Sequence, residues 1–464
     1  MNIFIRRIIL ILFLLGFFIA SPILIFYSSG YRYDFSKNKI VKTGSFYFSS
    51  IPAVAEIYLN NEDQQKKTPN RILYLLPNEY RIKIEKEGYF PWEKQLKIES
   101  RQTTFANAIR LFPKNEPKML LPGNIDMFKL SPDKKNVLYS IKDEFWQELW
   151  LLNLKSNEKT LLYRATADSL LEFLSFSPGG NKILISKTTD NAKNYFVVEL
   201  ASPYKIIDLD SLVSQNNSYN PSWDVKDENI IFSQSKNAIY LIDLNKDQDA
   251  TKILDLKTEF VLQNYSPKQK SFYVVKSDDQ NSYLEKFEWD FASQKTQKSE
   301  NILKLNRADY LFLDCYNQRV CLLNNSTKEL YIIDQDLKNI VMTAKDVSHI
   351  EWKNSNFITY NDYEIWIHSL LTGQENKQSD LLTRYGAMIS KAEILPNDDY
   401  VAFLIENQLK IIEMDKRDKQ NVVEYQKFDK ISDFYIVNEG NDIIFSGSNG
   451  DKGIYIINIS EFAK

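Results

Sequence analysis

The side chains most often recruited for chemistry are scarce here: two histidines, His349 and His368, and two cysteines, Cys315 and Cys321, among 464 residues. A Ser-His-Asp triad needs a histidine held against a nucleophile, and no Gly-x-Ser-x-Gly elbow occurs in the chain. Peptidase chemistry is therefore not expected. His368 falls in a recurrent strand and is expected to turn into an interface, while His349 opens an Ile-Glu-Trp strand. The two cysteines flank Tyr-Asn-Gln-Arg-Val, which reads as a tight turn between apolar runs. In an oxidising exterior they are a possible disulfide, and otherwise two small buried hydrophobes. Two ligands with no histidine nearby are too few for a metal site. Asp247 and Asp249 approach the spacing of a calcium loop but lack its glycine and distal glutamate. Carboxylates are plentiful, at sixty-one, and a glycosidase needs only two, so carbohydrate chemistry stays open. Asp243 and Asp334, however, stand at strand ends where turn residues belong. No catalytic residue, metal or cofactor is predicted.

The element that decides where such chemistry takes place is residues 8–27. This run carries no charge and, at about 1.5 Å per helical residue, spans the ~30 Å hydrocarbon core. Arg6 and Arg7 precede it and are expected to hold the N-terminus in the cytoplasm. A cleaved signal peptide is the alternative, but signal cores are shorter, and here the apolar run continues past Ala20-Ser21 to Tyr27. Pro22 lies inside it, as membrane helices tolerate. Only the lipid bilayer is expected to partner residues 8–27.

Charge divides the rest. Residues 28–115 hold fifteen Lys/Arg against nine Asp/Glu, whereas residues 116–464 hold forty-one against fifty-two. The basic part adjoins the membrane, where anionic headgroups attract lysines; two solvated surfaces of ordinary composition explain it equally. The net charge of −3 argues neither for nor against nucleic acid, and no nucleic acid partner is expected.

Between residues 43 and 112 the pattern is short β-strands. Phe46 and Phe48 share one face of the first. Ala55, Ile57 and Leu59 alternate with Val54, Glu56, Tyr58 and Asn60 in the next. Thr68-Pro69 and Pro77-Asn78 are turns; Tyr80, Ile82 and Ile84 point inward; Gly88 to Trp92 is a corner, and the last strand runs from Thr103 to Leu111. Ser50 to Asn60, Thr68-Pro69, Leu76 to Ile84 and Lys86 to Trp92 together resemble the PEGA domain. Where that family has Pro-Glu-Gly-Ala this chain has Pro52-Ala53-Val54-Ala55, and Asn78 stands where a glycine is usual. Val54, being β-branched, is expected to be extended rather than turned. The resemblance implies a small β-sandwich outside the bacterial membrane that binds surface components, with no reaction. Tyr89 and Trp92 are its candidate ligand-binding aromatics, as an alternative to packing.

From residue 118 the chain repeats. A short apolar strand recurs eight times at intervals of about 40 to 46 residues, the period of four-stranded propeller blades. The copies begin at Leu149, Tyr195, Ile239, Tyr283, Leu330, Ile365, Leu409 and Ile454. A strand–turn–strand unit precedes it, best seen at Leu130 to Tyr139 and Phe176 to Ile185, and in degenerate form at Ser222, Tyr265 and Leu395. The Ser-Pro-Asp turn followed by an apolar strand resembles TolB-type and WD-repeat-like propellers, the former more closely. The last repeat ends after its third strand, so Lys118 to Leu121 is expected to supply the fourth and close a ring. Eight blades are expected, with seven as the alternative because the copies around 310–370 are irregular.

The sequence thus predicts an all-β ectodomain, a small β-sandwich plus a β-propeller, behind one transmembrane helix. Its segments are a cytoplasmic stretch 1–7, the helix 8–27, a juxtamembrane linker 28–42, the PEGA-like domain 43–113 and the propeller 114–464. The expected function is that of a membrane-anchored, extracytoplasmic binding or scaffold protein engaging envelope protein or cell-surface glycan. The alternative is an extracytoplasmic carbohydrate-active enzyme using carboxylates in the propeller channel.

Overall fold

The computed structural model describes residues 3–461 except 191, 202–203, 213–219, 225–226, 235–237, 247–249, 256–261, 267–270, 291–294, 316–318, 335–337, 354, 371–377 and 397–398. Helix α1 (Ile3–Ser28) buries none of its side chains against the rest of the chain. It is long and apolar enough to cross a membrane, the signature of an anchor or a signal sequence. Residues 28–42, expected as a linker, instead hold a two-stranded antiparallel hairpin, Tyr31–Asp34 against Lys39–Lys42. Asp34 closes its turn by accepting from the backbone N–H groups of Ser36 and Lys37, the local bonding that favours Asp at such positions.

Next come two sheets. Strand Gly44–Ile51 lies between Asn70–Leu75, antiparallel, and Thr103–Arg110, parallel. Strands Glu56–Leu59 and Glu79–Glu85 form the middle of the second sheet, flanked by Glu62–Lys67 and Trp92–Lys97. Both sheets feed one core, in which Phe46 and Phe48 meet Ile57, Ile82, Ile84 and Leu96. The two-residue period of strands puts each set on one face. Val54 departs from expectation. Its φ is +64°, left-handed, although a β-branched residue there is a genuine outlier. Neighbouring hydrogen bonds impose the turn: Val54 N–H donates to the Thr68 carbonyl, and the Thr68 N–H and hydroxyl both bond to Ala55.

Eight four-stranded antiparallel sheets follow, over residues 125–166, 170–208, 220–255, 262–306, 310–344, 349–384, 389–427 and 430–458, the last completed by Lys118–Pro122. Lys118–Pro122 pairs with Asp451–Asn458, so one sheet contains both ends of this region. The eight recurrent apolar strands are the third strands of their sheets. Even the irregular stretch from 310 to 384 forms two complete sheets.

Alternation explains the packing. In strand Tyr400–Ile405, Val401 and Phe403 join a core with Ile358 and Ile365 of the preceding sheet. Ala402 and Leu404 join another with Phe434 and Ile443 of the following one. Such a strand is covered on both faces, which is why it reads as unbroken apolar sequence. One core cluster of this kind lies between each consecutive pair of sheets. Another, containing Val437, Ile444, Phe128 and Val137, joins the eighth sheet to the first.

The Ser-Pro turns also acquire a cause. Buried Ser131 accepts at its hydroxyl from the Asn136 N–H, 2.9 Å, while donating to Asp133. Ser177 repeats this with the Lys182 N–H at 3.0 Å. The serine satisfies a backbone donor that the tight turn leaves unpaired.

Candidate functional site

The first strands of neighbouring sheets approach one another, His349–Lys353 beside Ile389–Ile394 and the latter beside Lys430–Val437. Their alternating residues bring Glu351, Lys391, Glu393 and Asp433 together, and Lys129 and Lys134 reach in from the first sheet. Lys391 Nζ lies 2.8 Å from Asp433 Oδ1 and donates to the Phe434 carbonyl at 2.6 Å. It also sits 3.6 Å from the centre of the Tyr435 ring. Lys129 pairs with the other Asp433 oxygen at 3.6 Å, and Tyr435 donates to it at 3.0 Å. Lys134 is 3.5 Å from Glu393 Oε1 and donates to the Ile436 carbonyl. Glu393 Oε2 is buried without a hydrogen-bond partner among the described residues.

Burial drives the electrostatics of this cluster. It pushes the Glu351 carboxyl up to about 7, helped by the charge of Glu393 and opposed by Lys391 and Lys134. Burial likewise raises Glu393, against the pull of the same two lysines. Glu351 can therefore hold or release a proton near neutrality. The cluster is a mixed-charge surface whose lysines interleave its carboxylates.

A second polar constellation joins the 43–112 region to the seventh and eighth sheets. Strand Trp92–Lys97 turns Trp92, Lys94 and Leu96 to one face. The fully buried Lys94 ammonium lies 2.5 Å from Glu413 Oε1 and 3.3 Å from Asp415 Oδ2, and donates to the Asp415 carbonyl. The Trp92 indole N–H donates to Glu413 Oε2 at 2.7 Å. Asn421 fills the remaining acceptor positions of Glu413 through its N–H and its amide. Burial alone would raise Asp415, but Arg417 and Lys94 outweigh it and hold that carboxyl down at about 2. Around this centre Arg110 donates to the Gly440 carbonyl and its N–H to the Tyr400 hydroxyl. Phe112 meets Tyr400 edge to face, as Phe90 does Tyr425. A cleft of about 300 Å³ opens beside it, lined by Trp92, Asn107, Asp399 and Arg417 among others.

The residues singled out in the sequence lie elsewhere or play other parts. Tyr89 and Trp92 are buried, Trp92 with 4% of its surface exposed; neither offers an open aromatic platform, and packing is the role their positions give them. Cys315 and Cys321 are joined by a disulfide, Cys321 opposite Leu313 in its sheet. His368 is buried between Thr359 and Ser379, bonded to both hydroxyls and stacked on Phe357. Burial drives its pKa down to about 4. His349 stacks on Tyr360. Asp243 and Asp334 end third strands. Asp247 and Asp249 lie outside the described residues. Among the described residues no group of three or more His, Cys, Asp or Glu could hold a metal. Arg6 and Arg7 lie within α1. Sequence reading missed Lys94, Glu413 and the Glu351–Glu393 cluster. Lys94 had a signal: a lysine at an inward position of an alternating strand.

Residues 43–112 match the PEGA domain model. No curated protein matches the chain. Among solved structures, a crystal structure of a eukaryotic initiation factor aligns with a TM-score of 0.51 and 13% identity, over 73% of this chain and 86% of that one. The Dos1 propeller aligns with a TM-score of 0.47 and 12% identity, over 76% of this chain and 96% of that one. At 13% identity the likeness to the initiation factor speaks of fold and not of activity.

Proposed function

We propose that this chain is a membrane-anchored, extracytoplasmic scaffold of the bacterial envelope. In this reading α1 stays uncleaved, residues 43–112 form a PEGA β-sandwich, and residues 118–458 form an eight-bladed propeller of the TolB type. Supporting the propeller are the eight four-stranded sheets, the core cluster between each neighbouring pair, and the sheet that unites both ends. The scaffold reading rests above all on the junction. Lys94, Glu413 and Trp92 lock the small domain to the seventh sheet through buried, fully bonded charges. A flexible tether would not need them. The anchor would thus carry one stiff body, and the remaining sheets would be free to engage an envelope protein or a glycan.

The test has two stages. Protease treatment of intact spheroplasts should digest residues 118–458 while sparing the N-terminus; protection of those residues overturns the topology. Full-length protein in vesicles is then incubated with isolated cell-wall glycan and, separately, with envelope protein extract. Saturable retention of a defined protein supports a scaffold, and glycan binding alone turns the reading toward wall attachment. The enzymatic alternative draws on one observation, a carboxyl near 7 beside a second raised one at Glu351 and Glu393. It requires hydrolysis of envelope glycan that Glu351→Gln or Glu393→Gln abolishes. The lysines interleaved with these carboxylates favour binding over catalysis.

A further inference from the structure

The hairpin after α1 has an outward composition that a water-facing linker does not need. Phe35, at its tip, is 87% exposed, Ile40 62% and Tyr33 44%, and Tyr33 and Phe35 stack edge to face. Tyr27, the last aromatic of α1, and Leu73 and Tyr74 of the adjoining sheet are exposed as well. Cations stand among them: Arg32, Lys37, Lys39 and Lys42. Aromatics with flanking cations make up the composition of a membrane–water interface.

The hairpin is also held in place. Arg32 donates to the Tyr27 carbonyl at 2.6 Å and lies over the rings of Tyr27 and Tyr74, at 3.5 and 4.7 Å. The Gly30 carbonyl accepts from both the N–H and the hydroxyl of Thr43. Lys37 donates to the Pro77 carbonyl, and Ser100 to that of Lys42. An isolated two-stranded hairpin is marginal in water; this one is fastened to the helix end on one side and to the PEGA region on the other. With strands rising about 3.3 Å per residue, Phe35 lies within roughly 17 Å of Gly30, the residue where the helix gives way.

We propose that hairpin 31–42 lies in the outer interfacial layer of the bilayer that α1 crosses, with Phe35, Ile40 and Tyr33 at the acyl boundary and Arg32, Lys39 and Lys42 on anionic phospholipid headgroups. This rests on α1 being an uncleaved anchor. Its continuity with α1 and its cations choose lipid over a protein partner. Docked this way, the hairpin would fix the tilt of the ectodomain above the membrane.

The described chain has no free cysteine, so a single introduced thiol can carry an environment-sensitive fluorophore. Phe35→Cys, Ile40→Cys, Phe18→Cys and Tyr363→Cys are labelled in the full-length protein. Each is reconstituted into phosphatidylcholine–phosphatidylglycerol vesicles containing lipids with a nitroxide at shallow or deep positions. The expected result is shallow quenching at 35 and 40, deep quenching at 18 and none at 363. Neutralising Lys39 and Lys42 to Gln should shift the docked-to-free ratio by about fivefold per residue. Quenching at 18 but at neither 35 nor 40 overturns the hairpin proposal and leaves the anchor standing. No quenching at 18 overturns the anchor itself. Equal quenching at 35 in pure phosphatidylcholine overturns the assignment to anionic headgroups.

Discussion

The junction and the converging first strands both shield carboxylates from water, and they resolve the cost in opposite ways. At the junction, Lys94, Trp92 and Asn421 aim donors at Glu413, and Arg417 and Lys94 hold the Asp415 carboxyl well below its usual range. At the converging first strands, Glu351 and Glu393 lie next to each other with lysines partly committed to Asp433 and to backbone carbonyls. There the protein lifts the carboxyl pKa instead. Burial penalises a charge in both places; the number of donors aimed at it decides whether it ionises. One site is built to hold two domains together, and the other is left able to exchange a proton.

Breaking the junction should have the largest effect. Lys94→Met leaves Glu413 buried without its cation and should cost about 3–5 kcal/mol, read by urea denaturation of the detergent-solubilised full chain. A loss below about 1 kcal/mol would mean that the junction does not depend on this pair. Lys94→Met combined with Glu413→Gln should recover part of the loss.

The pH response sharpens the contrast. Glu351 is raised, so its contribution to stability is full below about 4.5 and is lost as pH rises through about 7. Asp415 is lowered, so its contribution is present above about 3.8 and lost as pH falls toward about 2. His368, lowered to about 4, likewise contributes above its ordinary 6.5 and loses that contribution as pH falls through about 4. Glu351→Gln should therefore match the parent protein near pH 4.5 and exceed it at pH 8 by up to about 3 kcal/mol. Parallel denaturation curves for the two proteins at both pH values are the measurement, and an equal difference at each would refute the raised carboxyl. Trp92→Phe comes next. It removes the indole hydrogen bond to the Glu413 carboxylate and should cost about 1.5–3 kcal/mol. The smallest expected change is a gain: Val54→Gly relieves a left-handed β-branched residue and should add about 1 kcal/mol, visible as a higher urea midpoint.

Much of the architecture was legible because it depends on periodicity. The apolar run at 8–27 lies within α1, and the eight recurrent strands are all third strands. The pairing of Lys118–Pro122 with Asp451–Asn458 followed from counting three strands in the final repeat. Val54 was misread because propensity was allowed to decide a backbone that three hydrogen bonds to Thr68 and Ala55 control. The hairpin at 31–42 was missed since its polar and apolar residues follow no long pattern. The candidate site was almost wholly illegible. Trp92 and Glu413 are 321 residues apart, and Glu351 and Glu393 belong to different repeats.

The sequence by itself determined what local patterns encode: an apolar helix, strands with a two-residue alternation, serine-capped turns and an eightfold repeat. These follow from side-chain size, backbone preference and burial, all of which act within a few residues. Tertiary structure alone decided which charges meet. Sixty-one carboxylates are interchangeable along the chain, and only folding placed Lys94 against Glu413 and Glu351 against Glu393. Proximity in space, and the water excluded there, set whether each is an ion pair or a proton store.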